Sequence, residues 1–571
     1  MNTLTIHSES RGGSLLPDWG TVTGIVVALM ICLPLFAVLW LALFPEENIW
    51  PHLFSTVLPH YVSNTLVLMC GVAAGTLLIG VSTAWLVTHY EFTGRGLFVW
   101  SLLLPFAVPA YVIAFIYTEL LEFSGPLQTL LRSAFGWQGA ADYYFPAIRS
   151  LPGAICMMVL VLYPYVYLLA RSAFLEQSVS LIEAAAMLGH PRRKSFFSIS
   201  LPMARPAIAV GVAMALMETL NDFGTVDYFA VSTLTVGIFD VWQNMGNLSG
   251  AAQISCLLLF FVLLLLFIER MGRRHQKLIQ PASSRFRPSQ RVPLKGWHHG
   301  AATLWCAMPI VFGFLIPFVL LCSNAIRYFD VSWTPEFREI AINTLLLSAT
   351  AAVLAVCLGI FLAYITRIKN NRWLLACARL ASCSYALPGA VLALGILIPF
   401  AAMDNHVDSF MREHFNISTG LILSGTVWVL LSAYVVRFLA VAFGSVESSL
   451  CKITPSMDMA ARSLGEKPLS MLWHVHIPLM RSGIITALLV VFVDCMKELP
   501  ATLLLRPFNF ETLATHVYQL ASDELIEQSS LAALLIVLTG LIPVIVLSLT
   551  LDRGNSLAHH RPEFTAVKSG Q

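Results

Sequence analysis

Twelve apolar stretches of roughly 20 residues, each long enough to cross a bilayer as a helix, recur along this 571-residue chain and leave few other fold classes open. They fall at 21–44, 63–88, 97–121, 151–173, 203–224 and 251–268 in the first half, then at 302–324, 341–366, 374–402, 418–444, 482–505 and 529–551 in the second. With 57% hydrophobic and 12% charged residues and a mean hydropathy of +0.76, the composition lies far from that of soluble domains. The expected fold is an all-α polytopic membrane protein of about twelve transmembrane helices. The first stretch is too long for a cleaved leader and no small-residue cleavage pattern follows it, so it is expected to remain as a span. The eleven cysteines include no CxxC pair, and Cys70, Cys156, Cys256 and Cys495 sit inside apolar runs; they read as small packing residues.

A net charge of +2 says little, but its distribution gives an orientation. The loop after the first stretch has no Lys or Arg, whereas the connector between stretches six and seven carries Arg270, Arg273, Arg274, Lys277, Arg285, Arg287, Arg291 and Lys295 against the single acid Glu269. That connector, and with it both termini, is expected on the cytoplasmic side. Its basic residues suit a membrane surface, and no nucleic-acid partner is expected.

The chain repeats itself. Asn64-Thr65-Leu66 recurs as Asn343-Thr344-Leu345, 279 positions on, and Pro109 aligns with Pro388 in the same register. A polar segment between stretches four and five, Glu183 to Pro202, has its partner from Met459 to Pro478, with Gly189 matching Gly465 and Pro202 matching Pro478. Two six-span halves in tandem share one orientation and face each other across an axis along the membrane normal. The expected organisation is a tail and first span over 1–60, a first membrane domain over 61–270 with its polar loop at 180–202, and a basic linker over 271–300. A seventh span with an outer loop follows over 301–340, then a second membrane domain over 341–552 with its loop at 456–478, and a cytoplasmic tail over 553–571.

Glu183-Ala184-Ala185, Gly189 six positions after the acid, and Ile199-x-Leu201-Pro202 resemble the EAA loop of type I ABC importer permeases. The residues suit a short helix broken at Gly189, with Pro202 at the restart. The second copy departs: Met459 stands at the acid's position with Asp458 before it, followed by Ala460, Ala461, Gly465 and Pro478. The resemblance implies that both loops couple to a separate ATPase, with Glu183→Ala more damaging to coupling than Asp458→Ala. No G-x-x-x-x-G-K-[ST] motif occurs, so the chain lacks a phosphate-cradling loop of its own and is not expected to be an enzyme. By resemblance its partners are two copies of an ABC ATPase subunit carrying ATP-Mg, an extracytoplasmic iron-binding protein and the lipid bilayer of a bacterial inner membrane. No cofactor is expected on this chain.

Four acids stand near the ends of stretches five and eleven: Glu218 and Asp222, then Asp494 and Glu498, each pair four residues apart and the two pairs 276 apart. On helices each pair would share a face, and acids at the edge of a span usually face water or a partner. They are the candidate pathway or gate, where hard cations would meet oxygen ligands in transient passage; pairing with Lys497 or Arg506 is the structural alternative. The surrounding segments resemble fused ferric-iron ABC importer permeases, which implies ferric iron as cargo. Thiamine permeases share the layout, and an ion-coupled secondary transporter would also explain the repeat and the acids. The i, i+2 spacing of His474 and His476 puts them on different helical faces and argues against a metal site there.

Overall fold

The computed structural model describes residues 19–45, 47–177, 187, 191–274, 291–369, 371–381 and 387–559. Its principal helices are α1 (Trp19–Leu43), α2 (Leu58–His89), α3 (Ala110–Leu121), α4 (Leu151–Leu175), α5 (Leu201–Asn221) and α6 (Leu248–Arg274). The second half supplies α7 (Trp297–Arg327), α8 (Pro335–Ile368), α9 (Gly389–Phe415), α10 (Val427–Leu450), α11 (Ile477–Met496) and α12 (Ile526–His559). Among the described residues eleven helices are long and apolar enough to cross a bilayer, or twelve if the pair Arg95–Ala107 and Ala110–Phe135, bent by 90°, is one span. In lipid a helix meets its backbone N–H and C=O groups within its own segment. Large apolar side chains such as Trp40, Leu78 and Leu346 accordingly face outward, more than half exposed.

The repeat extends to individual hydrogen bonds. Thr65 Oγ1 donates to the Tyr61 carbonyl and accepts from Leu234 N at 3.0 Å; Thr344 Oγ1 donates to the Ile340 carbonyl and accepts from Leu513 N at 2.8 Å. The Thr of each Asn-Thr-Leu motif thus holds the start of a short helix later in its own half. Pro109 and Pro388 both stand in extended backbone immediately before α3 and α9, where the missing N–H is no loss. Five-residue π-turns precede the fifth and eleventh helices, at Phe196–Ser200 and Leu472–His476.

Each half lends its first helix to the other. α1 packs against α9 and the amphipathic helix Arg372–Ala381, so closely that a Cβ on Gly395 would lie 2.3 Å from the Pro34 carbonyl oxygen. Conversely α7 is tied to the first half: Trp305 Nε1 donates to Ser82 Oγ at 2.8 Å, and Tyr117 donates to the Phe312 carbonyl at 2.7 Å. One buried core draws on both halves, with Val112, Met158 and Leu220 beside Val391, Leu394 and Leu499. The end of the basic linker, Val292–Pro293, pairs in parallel with Tyr90–Glu91, which sets it beside the loop after α2.

Four expected spans change. Stretch 97–121 is broken before Ala110, because Pro109 and the extended residue before it cannot continue a helix. Stretch 374–402 merges two elements: Arg372–Ala381 is a separate surface helix, and the spanning helix starts at Gly389. Stretch 418–444 begins with a loop. Asp404 accepts Leu423 N and Ser424 N at 2.9 and 2.7 Å, and Asp408 accepts Thr419 N at 2.8 Å, so that loop's backbone is satisfied without helix. Stretch 482–505 ends as a helix at Met496, and Pro500–Leu505 is a separate short helix.

Candidate functional site

The ends of α5 and α11 farthest from the polar loops meet the start of α3 and the middle of α10 around a chamber of about 110 Å³. Glu218, Asp222, Asp494 and Glu498 all line it, together with Asn221, Tyr111, Arg437 and Lys497. The sequence therefore picks out four acids that the fold does bring together. The shared-helix-face argument needs correction, however: α5 ends at Asn221 and α11 at Met496, so Asp222 and Glu498 lie beyond their helices.

Beyond those ends the two acids do equivalent work. Asp222 accepts Thr225 N at 2.9 Å and Glu498 accepts Ala501 N at 3.0 Å. Each carboxylate satisfies an otherwise free N–H at the start of the next short helix, a position that also favours negative charge. The remaining contacts break the symmetry. Arg437 Nη1 donates to Glu498 Oε1 at 3.0 Å, with both side chains almost fully buried. Lys497 Nζ lies 2.8 Å from Asp494 Oδ1 and 5.1 Å from the Phe106 ring centroid. Arg506, considered as a partner for these acids, instead bonds Glu511 at 3.0 Å. Four carboxylates thus face two cationic side chains. Among the described residues no three His, Cys, Asp or Glu side chains converge closely enough to hold a metal ion.

Arg437 escaped the sequence reading, although its signal was present: it is the lone charge in the apolar run of α10, and such a residue normally has a buried partner or a cavity to face. On the other side of the Asp494–Lys497 pair lies a larger cavity of about 510 Å³, walled by apolar residues such as Met214, Val441, Leu489 and Val493. Phe106 and Tyr165 border both spaces. The halves also touch here: Gly389 N donates to Asn221 Oδ1 at 2.7 Å, and Tyr518 donates to Asp227.

Of the first polar loop, Glu183, Ala184, Ala185 and Gly189 lie outside the described residues, while Pro202 occupies the first turn of α5. The second loop is described throughout. Pro455–Ser463 is helical and Gly465 follows in the left-handed region at φ +83°, a conformation that glycine adopts without strain. Pro478 lies in the first turn of α11. Asp458 points inward, accepting from Arg367 Nε at 2.8 Å and pairing with His476 Nε2 at 2.9 Å. Burial pushes its carboxyl up, but the hydrogen bonds from Arg367 and His476 outweigh that and hold it below the usual carboxylate range. Ala461 packs inward with Tyr364 and Met471. Met459, Ala460, Leu464 and Leu469 stay exposed, leaving an apolar outer face on the loop. His476 is fully buried and His474 exposed beside Ser470, in keeping with structural and solvated roles.

Comparison with known proteins agrees with this architecture. The model of the binding-protein-dependent transport system inner membrane component family matches twice, at residues 75–280 and 355–557. The chain is 26% identical over 540 residues to the Fe(3+)-transport system permease protein FbpB 2 of Haemophilus influenzae, covering 93% of this chain and 98% of that protein. It is 21% identical over 493 residues to the Ferric transport system permease protein FbpB of Actinobacillus pleuropneumoniae, covering 81% of this chain and 67% of that protein. A shorter match, 28% over 200 residues, is to the Sulfate transport system permease protein CysW of Escherichia coli, covering 34% of this chain and 66% of that protein. With the matched domain present twice and covering most of the chain, this multi-pass protein belongs to the binding-protein-dependent transport system inner membrane component family.

Proposed function

We propose that this chain is the fused permease of an ATP-driven importer of ferric iron, working with two ATPase subunits that carry ATP-Mg and an extracytoplasmic iron-binding protein. The observation that carries the proposal is the chamber between the halves, where four carboxylates outnumber two cationic side chains. An excess of hard oxygen ligands suits a hard cation and opposes an anion such as sulfate. The names of the two FbpB relatives, which align over more than four fifths of this chain, support iron over thiamine.

In this account the two polar loops dock on the ATPases, with Glu183, Ala184, Ala185, Gly189 and Pro202 in one and Asp458, Met459, Ala460, Ala461, Gly465 and Pro478 in the other. The exposed Met459, Leu464 and Leu469 give the second loop an apolar contact surface. ATP-driven closure draws the loops together and tilts the halves, which opens the chamber to the binding protein; hydrolysis returns it toward the larger apolar cavity. Both termini and the basic linker lie in the cytoplasm. The cation passes Glu218, Asp222, Asp494 and Glu498 transiently. The test is ATP hydrolysis by the reconstituted permease and ATPase: iron-loaded binding protein is expected to stimulate it severalfold over the iron-free form. Equal stimulation by both, or stimulation by a thiamine-loaded protein instead, would remove iron as the cargo.

A further inference from the structure

Each acid of the chamber, and its one amide, has at least one protein donor. Asp222 is held by Thr225, Glu498 by Arg437 and Ala501, Asp494 by Lys497, and the Asn221 carbonyl by Gly389 N. Tyr165 donates to Glu218 at 3.5 Å. Tyr111 is different. It is 4% exposed, lines the chamber, and its hydroxyl has no hydrogen-bond partner among the described residues. Leaving a buried hydroxyl unpaired costs about 1–3 kcal/mol, and such groups are rare enough in folded proteins that each needs an explanation.

The surroundings indicate what the hydroxyl is placed for. Its side chain lines the same chamber as the Asp222 and Glu498 carboxylates, one from each half. Position 224 is glycine, and a Cβ there would stand 2.8 Å from Tyr111 Cβ and 2.6 Å from a Leu499 methyl, so the bare backbone lets the Tyr111 ring seat between the halves. The repeat offers no second copy, because the equivalent position 279 residues on is Ala390.

We infer that Tyr111 is a ligand for the passing trivalent cation, its phenolic oxygen completing an oxygen set with Asp222 and Glu498. The inference rests on the cation-import reading above. Asp222, Asp494 and Glu498 already carry Thr225, Lys497, Arg437 or Ala501 as donors, whereas the Tyr111 oxygen gives up only its own proton to bind. On binding, an iron–oxygen bond to water or to the delivering carboxylate breaks, the bond to Tyr111 Oη forms, and the phenolic proton passes to water; iron stays ferric throughout.

The test uses the permease with its ATPase in lipid nanodiscs, without the binding protein, loaded with ferric citrate. A phenolate-to-iron charge-transfer band in the visible is expected for the native chain, absent in Tyr111→Phe and retained in Tyr434→Phe, whose hydroxyl is already bonded to Thr502. Because the Tyr111 hydroxyl has no partner to lose, Tyr111→Phe is expected to unfold at the native temperature or above, while ferric uptake in the complete system falls about tenfold, the loss of roughly 1.4 kcal/mol. A native chain without the band, or a Tyr111→Phe chain that keeps it, would overturn the assignment, as would Tyr111→Phe uptake at the native rate. Loss of the band in Tyr111→Phe, with no ATP-driven uptake even by the native chain, would keep Tyr111 as an iron ligand and discard the importer reading alone.

Discussion

Arg437→Ala is expected to lower the unfolding free energy by about 3–5 kcal/mol, the usual consequence of stripping one partner from a buried ion pair. The side chains of Arg437 and Glu498 are 6% and 4% exposed, so water cannot replace the guanidinium. Glu498 would keep only the Ala501 N–H, far too little for a buried carboxylate. The double variant Arg437→Met with Glu498→Leu is expected to recover most of that stability, because a hydrophobic pair of similar volume carries no desolvation penalty. Ferric uptake is expected to be lost in Arg437→Ala and in the double variant alike. Thermal unfolding of the two proteins in detergent, alongside uptake in liposomes, checks both parts. An Arg437→Ala protein as stable as the native one would mean that the pair does not compensate Glu498.

The second large effect concerns the polar loops and divides into two readouts. Asp458→Ala removes the acceptor for Arg367 Nε and the partner of buried His476, and is expected to cost about 1.5–3 kcal/mol, the usual range for hydrogen bonds to charged groups. Arg367 still reaches the Leu450 and Ile453 carbonyls at 2.5 and 2.9 Å, which limits the loss. Since the acid faces inward, its removal should act on stability. Glu183→Ala is expected to reduce the coupling of ATP hydrolysis to uptake more than Asp458→Ala does, and equal coupling defects would contradict that asymmetry. Acidity gives a further check. The carboxyl of Asp458 is held below its ordinary value in the folded chain. Its contribution is therefore complete above the unfolded value of about 3.9 and is lost as pH falls through the folded one. The unfolding temperatures of native and Asp458→Ala proteins should converge in acid.

Much of this architecture is legible in the sequence, because lipid imposes long apolar helices and a tandem duplication repeats its landmarks. The Asn-Thr-Leu motifs, Pro109 with Pro388, and Gly465 each point to a place where the backbone does something specific. Less legible are the breaks. An apolar window does not register the end of α11 at Met496, since the residues after it, Leu499 to Leu505, remain largely buried and apolar. Nor does it separate the amphipathic Arg372–Ala381 from the span that follows. The four acids were found by their spacing, yet that spacing was misread as helical periodicity. Asp222 and Glu498 recur because each satisfies the start of the next short helix, a local need that the repeat preserves. Arg437 and Tyr111 come from helices distant in sequence, and only the packing of α10 and α3 against the chamber gives them a role.

Uptake of radiolabelled ferric iron by liposomes containing the permease, its ATPase and the loaded binding protein, with and without ATP, tests the central claim most directly. ATP-dependent accumulation is expected, unaffected by excess thiamine and severalfold lower with Asp494→Asn even while ATP hydrolysis continues. Iron accumulation at the same rate without ATP, or none with it, would contradict the account.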